Sequence, residues 1–143
     1  MLSSADNKLI LIKRRSRRWL VDHDEIADGL SNLAIKLGFN FIVYDDKHLP
    51  SHNQTMLMFY QAALVVAPHG AGLSNLIYSK PGTYVLEVLC RDSPNLCFQQ
   101  LAESQGMHYY GLVSKSSCGP MTVDVKELLQ VAELFLHRIV KGL

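Results

Sequence analysis

The stretch Pro68-His69-Gly70-Ala71-Gly72 carries residue types that suit an anion. Gly70 and Gly72 can take positive φ and let backbone N–H groups approach a ligand with no Cβ in the way. A short helix expected from Leu73 aims free N–H groups and its positive dipole end at the same point. His69 can donate to a phosphate oxygen, and Asn75 in the first helical turn adds an amide. Lys13 to Arg18 holds five basic residues in six positions, and its arginines offer charge with bidentate donors. The chemistry these types share is the binding of a phosphate or diphosphate.

Each feature also has a plainer reading. A glycine turn after a strand is often just a turn, and His69 fits a hydrogen-bonded structural histidine as well as a ligand contact. The basic run fits a solvated face or a targeting-like segment, and Trp19 beside it would suit stacking on a nucleic-acid base. Glu87 lies inside an apolar strand, where a carboxylate is costly unless paired. It can accept from a ribose hydroxyl, brace the turn, or pair with a neighbouring basic side chain or backbone. His23, His48, His52, His108 and His137 show no ligand spacing. The His-Gly-Ala-Gly turn is like the oxyanion turn of some esterases, but no G-x-S-x-G elbow accompanies it. The P-loop and G-x-G-x-x-G fingerprints are also absent.

These residues need a scaffold, and the chain alternates strand and helix signals throughout. Apolar strands are expected at Lys8–Lys13, Phe39–Tyr44, Leu64–Ala67, Tyr84–Leu89 and Met107–Val113. Between them, Ile26, Leu30, Leu33, Ala34 and Leu37 keep helical spacing. Asp22 with Glu25 reads as a capping box, and Gly38 as the stop. Ser51 or Asn53 can cap a second helix running through Ala63, with Met56, Leu57, Phe59 and Tyr60 as its apolar content. Further helices are expected over about Leu96–Gln105 and Val123–Val140. Ser114 to Pro120 reads as a loop with no strong signal. Alternating elements predict an α/β fold, one doubly wound parallel sheet of about five strands, Rossmann-like, in the order 2-1-3-4-5. In such a sheet ligands bind beyond the carboxyl ends of the strands. That rule brings the arginines and the His-Gly-Ala-Gly turn to one crevice if strands one and three are neighbours.

The chain of 143 residues is the size of one domain, with 48% hydrophobic residues, enough for a core, and a net charge of +1. That balance predicts no general affinity for nucleic acid or membrane. No apolar run reaches the roughly 20 residues of a membrane helix, and Met1–Asn7 shows no secretory h-region. Of the three cysteines, Cys90 and Cys97 bracket a polar loop. They read either as a disulfide, which implies an oxidising compartment, or as unpaired thiols. No metal is expected to be bound by the chain.

Pro68-His69-Gly70-Ala71-Gly72-Leu73-Ser74-Asn75-Leu76, followed by Pro81-Gly82 and Val85-Leu86-Glu87-Val88, resembles the hallmark of glycosyltransferase family 61. Ile12-Lys13-Arg14 with Arg18-Trp19-Leu20-Val21-Asp22 is similar to that family's arginine segment, with Asp22 where an asparagine is expected. The segment Cys90 to Tyr110 is most like the luminal EGF-domain O-linked N-acetylglucosamine transferases, and the resemblance runs over nearly the whole chain. It implies the C-terminal, nucleotide-sugar-binding domain of a two-domain GT-B enzyme that inverts the anomeric centre, with residues 1–143 as that domain. By the same resemblance Arg14, Arg18, His69, Gly70, Ala71, Gly72 and Asn75 contact the diphosphate of a UDP-sugar, and Glu87 contacts the nucleoside or the turn. No cofactor beyond that donor substrate is implied. The implied partners are a glycan or glycoprotein acceptor and an N-terminal acceptor domain, with no nucleic acid and no membrane segment in this chain. The implied location is the secretory lumen for a eukaryotic source and the cytoplasm for a bacterial one. Alone, the chain is expected to be inactive. The competing reading is a non-catalytic α/β interaction domain with a vestigial phosphate pocket.

Overall fold

A computed structural model describes residues 6–142, so Met1–Ala5, most of the segment read for a leader, and Leu143 lie outside the described residues. Strands and helices alternate: β1 (Lys8–Lys13), α1 (His23–Leu37), β2 (Asn40–Asp45), α2 (His52–Tyr60), β3 (Ala62–Pro68), a 3₁₀ helix (Ala71–Tyr78), β4 (Tyr84–Leu89), α3 (Cys97–Ser104), β5 (His108–Val113) and α4 (Val125–Lys141). The strands form one five-stranded sheet in the order β2-β1-β3-β4-β5, all pairs parallel. This is the expected doubly wound fold.

Strand parity divides the core. Leu9, Leu11, Leu64, Val66, Leu86 and Val88 face α1 and α4 and pack with Ile26, Leu30, Leu128, Ala132 and Leu136. Ile10, Ile12, Val65, Ala67 and Val85 face the other way and pack with Phe59, Leu73, Leu76 and Ala102. The central strands β3 and β4 are buried along their whole length, as a parallel sheet covered on both faces requires. Burial of the 3₁₀ helix repeats at Leu73, Leu76 and Ser79, a period of three residues. That is the helix's own repeat, so its tighter winding puts every third side chain on the sheet, where an α-helix was expected.

Several boundaries differ from the sequence reading. The second helix stops at Tyr60, because Ala62, in register with Lys8, already opens β3. Ser51 does close a reciprocal capping box with Gln54: Gln54 N donates to Ser51 Oγ at 3.2 Å and Ser51 N donates to Gln54 Oε1 at 3.0 Å. Asp22, by contrast, makes no side-chain cap to α1. Its backbone sits at φ −93°, ψ 27° instead of the extended conformation a cap needs, because the chain turns there with His23 N donating to the Leu20 carbonyl. Gly38 ends α1 at φ 84° and donates to the Ala34 carbonyl, a left-handed stop that glycine takes without steric cost.

The disulfide joins Cys90 to Cys118, with Cα atoms 4.9 Å apart, and Cys97 is free and exposed. A Cys90–Cys97 bridge is therefore not formed: Cys97 opens α3 and faces solvent, while Cys90 is buried at the end of β4. The bridge ties β4 to a loop knitted by its own hydroxyls. Ser114 Oγ donates to the Thr122 carbonyl at 3.0 Å and Ser116 Oγ to the Pro120 carbonyl at 2.8 Å.

Replacing both Cys90 and Cys118 by alanine is expected to lower unfolding free energy by about 3 kcal/mol, the loop-closure effect of a cross-link of this span. Cys97→Ala is expected to leave it within about 0.5 kcal/mol. Urea unfolding of the three proteins checks both. Leu128→Ala removes a fully buried side chain from the α4 face and is expected to cost about 2–5 kcal/mol in the same assay.

Candidate functional site

All five strands deliver their carboxyl ends to one edge of the sheet, and winding reverses between β1 and β3. Such a reversal leaves a crevice, because the connections from the two strands depart to opposite faces. Arg14 follows β1 there, Asp46 follows β2, and His69 to Gly72 follow β3. A crevice of about 240 Å³ is lined by Ile12, Arg14, Tyr44, Asp46, Leu49, Ala71, Gly72 and Asn75. A second, of about 180 Å³, lies on the other side of Arg14 and includes Lys13, Trp19, His23 and Asp24.

Arg14 is the residue common to both. Its Nη1 donates to the His69 carbonyl at 2.8 Å. Burial lowers its pKa, with the Arg18 charge adding to this and Asp46 opposing it. An arginine remains protonated under such shifts, so the crevice keeps a fixed cation in its wall. Arg15 serves a different purpose: its Nε and Nη2 donate to Asp45 at 3.0 and 2.5 Å. That hydrogen-bonded pair holds the Asp45 carboxyl well below the usual carboxylate range. The basic run is thus divided by function and is not one solvated face.

Arg18 adopts φ 60°. Its backbone N donates to the Gly119 carbonyl at 3.0 Å, and Val21 N and Met121 N exchange hydrogen bonds with the Met121 and Trp19 carbonyls. The arginine segment is thereby clamped to the loop carrying Cys118. Arg18 Nε is buried without a partner among the described residues. Arg18 lies within electrostatic reach of Arg14 but does not line the crevice.

The two glycines work by absence of bulk, not by positive φ. Gly70 is extended at φ 161°, ψ 176°, and Gly72 is not among the left-handed residues. A Cβ on Gly70 would lie 1.7 Å from Arg14 Nη1, and one on Gly72 would lie 3.0 Å from Ile12 Cγ2. Asn75 Nδ2 donates to the Gly72 carbonyl at 3.0 Å and approaches Tyr44 Oη at 3.4 Å. It closes the turn from inside the crevice wall.

The His69 ring turns away from the crevice lining and into the sheet edge. Its Nδ1 lies 2.7 Å from Glu87 Oε2, and its ring packs on Phe98 at 5.1 Å. Tyr109 Oη donates to Glu87 Oε1 at 2.5 Å. Glu87 is 0% exposed, and burial raises its pKa against the opposing hydrogen bonds from Tyr109 and His69. Burial and the Glu87 contact likewise push the Tyr109 phenol up. Both oxygens of Glu87 are occupied, so it braces His69 in this structure. Of the residues expected from sequence, Arg14, Ala71, Gly72 and Asn75 come together in the crevice, with Gly70 against Arg14; His69, Glu87 and Arg18 stand behind it.

Tyr109, Tyr44 and Asp46 were missed as site residues. A signal for Tyr109 was present: an acid inside an apolar strand calls for a donor on a neighbouring strand. Gly119, in the loop Ser114 to Pro120 that read without a strong signal, and Met121 just after it hold the arginine segment. Asp22-His23-Asp24 is an Asp-x-Asp triplet that the expectation of no metal passed over. Among the described residues no group of three or more His, Cys, Asp or Glu side chains is arranged to hold a metal ion. No helix among them is long and apolar enough to cross a membrane.

The chain is similar to known proteins of two kinds. A beta-1,2-xylosyltransferase of Arabidopsis thaliana is 23% identical over 109 residues, 76% of this chain and 20% of that protein. The chain thus spans about a fifth of that relative's length. Among solved structures, diflavin flavoprotein A3 of Nostoc sp. superposes with a TM-score of 0.62 at 11% identity, over 97% of this chain and 94% of that one. A flavo di-iron protein variant of Thermotoga maritima superposes at 0.60 and 11% identity, over 94% of this chain and 36% of that one. These likenesses concern the fold alone. The family model described as Glycosyltransferase 61 matches residues 1–86. It takes in β1 to β3, the arginine segment and the His-Gly-Ala-Gly turn, and stops one residue short of Glu87, over less of the chain than the resemblance reached. With the match covering the crevice and both elements that build it, this chain belongs to glycosyltransferase family 61.

Proposed function

We propose that the chain binds the diphosphate of a nucleotide-sugar donor, a UDP-sugar, for inverting transfer to a hydroxyl of a glycan or glycoprotein. The observation that carries this reading is Arg14, a fixed cation shared by two crevices at the sheet's switch point. A diphosphate lying over Arg14 would meet the backbone of Ala71 and Gly72 at the start of the 3₁₀ helix, where unpaired N–H groups favour anions. Arg18 adds charge behind Arg14, and His69 with Gly70 shapes the turn. In an inverting transfer the departing nucleoside diphosphate accumulates negative charge, and preorganised donors lower the barrier to its departure. This chain supplies that half of the chemistry. The base that takes the acceptor's proton, and the acceptor site, belong to an N-terminal domain in a GT-B arrangement. No metal is needed in this reading, because Arg14 and Arg18 provide the countercharge. The Cys90–Cys118 disulfide fits an oxidising lumen.

A titration of the ¹⁵N-labelled chain with UDP, and with GDP and CMP as controls, tests the reading. UDP is expected to shift amide signals of Arg14–Arg18 and His69–Asn75 with micromolar to millimolar affinity. A flat response to all three nucleotides overturns donor binding by this chain. Gly70→Ala gives a sharper test. Its Cβ collides only with the end of the flexible Arg14 side chain among its closest neighbours, so the fold is expected to persist. Affinity for UDP is expected to drop at least about tenfold, equivalent to about 1.4 kcal/mol.

A further inference from the structure

We propose that Tyr109 and Glu87 are positioning residues for Arg14, acting through His69 across four strands of the sheet. Tyr109 Oη donates to Glu87 Oε1 at 2.5 Å. His69 Nδ1 meets Glu87 Oε2 at 2.7 Å. The His69 carbonyl accepts from Arg14 Nη1 at 2.8 Å. The chain of bonds therefore runs from β5 through β4 and the end of β3 to the residue after β1. Parity allows it: Tyr109 packs with the same core face as Val85, Ala67 and Ile12, and Glu87, His69 and Arg14 each lie two residues beyond those last three.

Stability alone gives no reason for this arrangement. Glu87 sits wholly buried between Leu86 and Val88, and an apolar side chain of similar volume would avoid the desolvation cost. The glycine at 111 points to the same design. Gly111 is in register with Glu87, and a Cβ there would lie 3.1 Å from the Tyr109 hydroxyl and 2.9 Å from Leu89. Its lack of a side chain leaves the Tyr109 ring room to lie along the strand and reach the carboxylate.

The link from His69 to Arg14 passes through one peptide group. The carbonyl that accepts from Arg14 belongs to the planar peptide group between His69 and Gly70, and the permissive φ of glycine lets that plane tilt more readily than another residue would. His69 is held on its other side by its own N–H, which donates to the Val88 carbonyl at 2.9 Å. The imidazole anchored on Glu87 supplies the second restraint. With both in place the carbonyl has one direction, and the guanidinium that it fixes stays between the two crevices.

The ligand arm of the test rests on the donor reading; the ligand-free arm does not. In the ligand-free chain, the side-chain ¹⁵N–¹H signal of Arg14 is followed in wild type, Tyr109→Phe, Glu87→Gln and Leu128→Ala. Both site variants are expected to shift or broaden that signal, while Leu128→Ala, destabilised on the opposite face, leaves it in place. In the second arm UDP affinity is measured in a double-mutant cycle. Tyr109→Phe is expected to weaken binding about three- to tenfold when Arg14 is present and to have no further effect in Arg14→Ala. An unmoved Arg14 signal in both site variants, or equal losses in the two backgrounds, overturns the proposal. A moved signal with no UDP binding in any protein upholds the positioning chain and overturns the donor reading instead.

Discussion

A parallel sheet sends every strand's carboxyl end to the same edge, and the residues that leave that edge must therefore share it. This constraint places Arg14, Asp46, His69 and Cys90 together although 76 residues separate the first from the last in a chain of 143. The reversal of winding between β1 and β3 then opens the crevice. Everything else at the site is a correction applied to this coarse placement. The arginine loop is held down by Gly119 to Met121, the turn is closed by Asn75, and the histidine is drawn inward by a buried acid.

Charge at the edge is partitioned by burial. Arg15 and Asp45 form an exposed fork whose pairing shapes the loop mouths but adds little stability, as surface pairs do. Arg14 is half-buried and keeps donors to spare. Glu87 is fully buried, and each of its two oxygens meets a hydrogen-bond partner, Tyr109 or His69, which is the condition under which a carboxylate tolerates such a place. The same segment therefore holds a paired cation, Arg15, and a crevice-lining one, Arg14, side by side. Their difference lies in which carboxylates the sheet order brings within reach.

Much of the fold was legible because it follows from repeats that burial imposes. The unbroken apolar run of Leu9 to Ile12 and the 3.6-residue spacing from Ile26 to Leu37 identify a sheet covered on both faces and its helix. Even the 3₁₀ helix had its signature in Leu73, Leu76 and Ser79, spaced by three, although a window of eight residues does not separate that from an α-helix. The crevice beside Arg14 was legible to the extent that sheet order was. What escaped were pairings between segments distant in sequence and without a repeat. Cys118 lies in a polar loop, and nothing near it states that Cys90 is opposite. The glycines were read for positive φ and for room beside an anion, whereas Arg14 and Ile12 are what a Cβ at Gly70 and Gly72 would meet, a fact belonging to the packed state. Tyr109 stands in a strand that reads as simple core, and its hydroxyl acquires meaning only from the acid on the next strand.

The bridge between Cys90 and Cys118 carries a further consequence. It joins no two layers of the core; both ends lie at the ligand edge, and the loop it secures is the one that clamps the arginine segment through Gly119 and Met121. The layered core rests on apolar contacts that need no oxidation. Assembly of the molecule therefore divides into two stages with different requirements. Burial of the two apolar faces can proceed in any aqueous compartment, whereas the cross-link at the edge forms only where thiols are oxidised. A newly made chain would thus complete its interior before that cross-link forms, and the loop beside the arginine segment would gain its covalent restraint after folding.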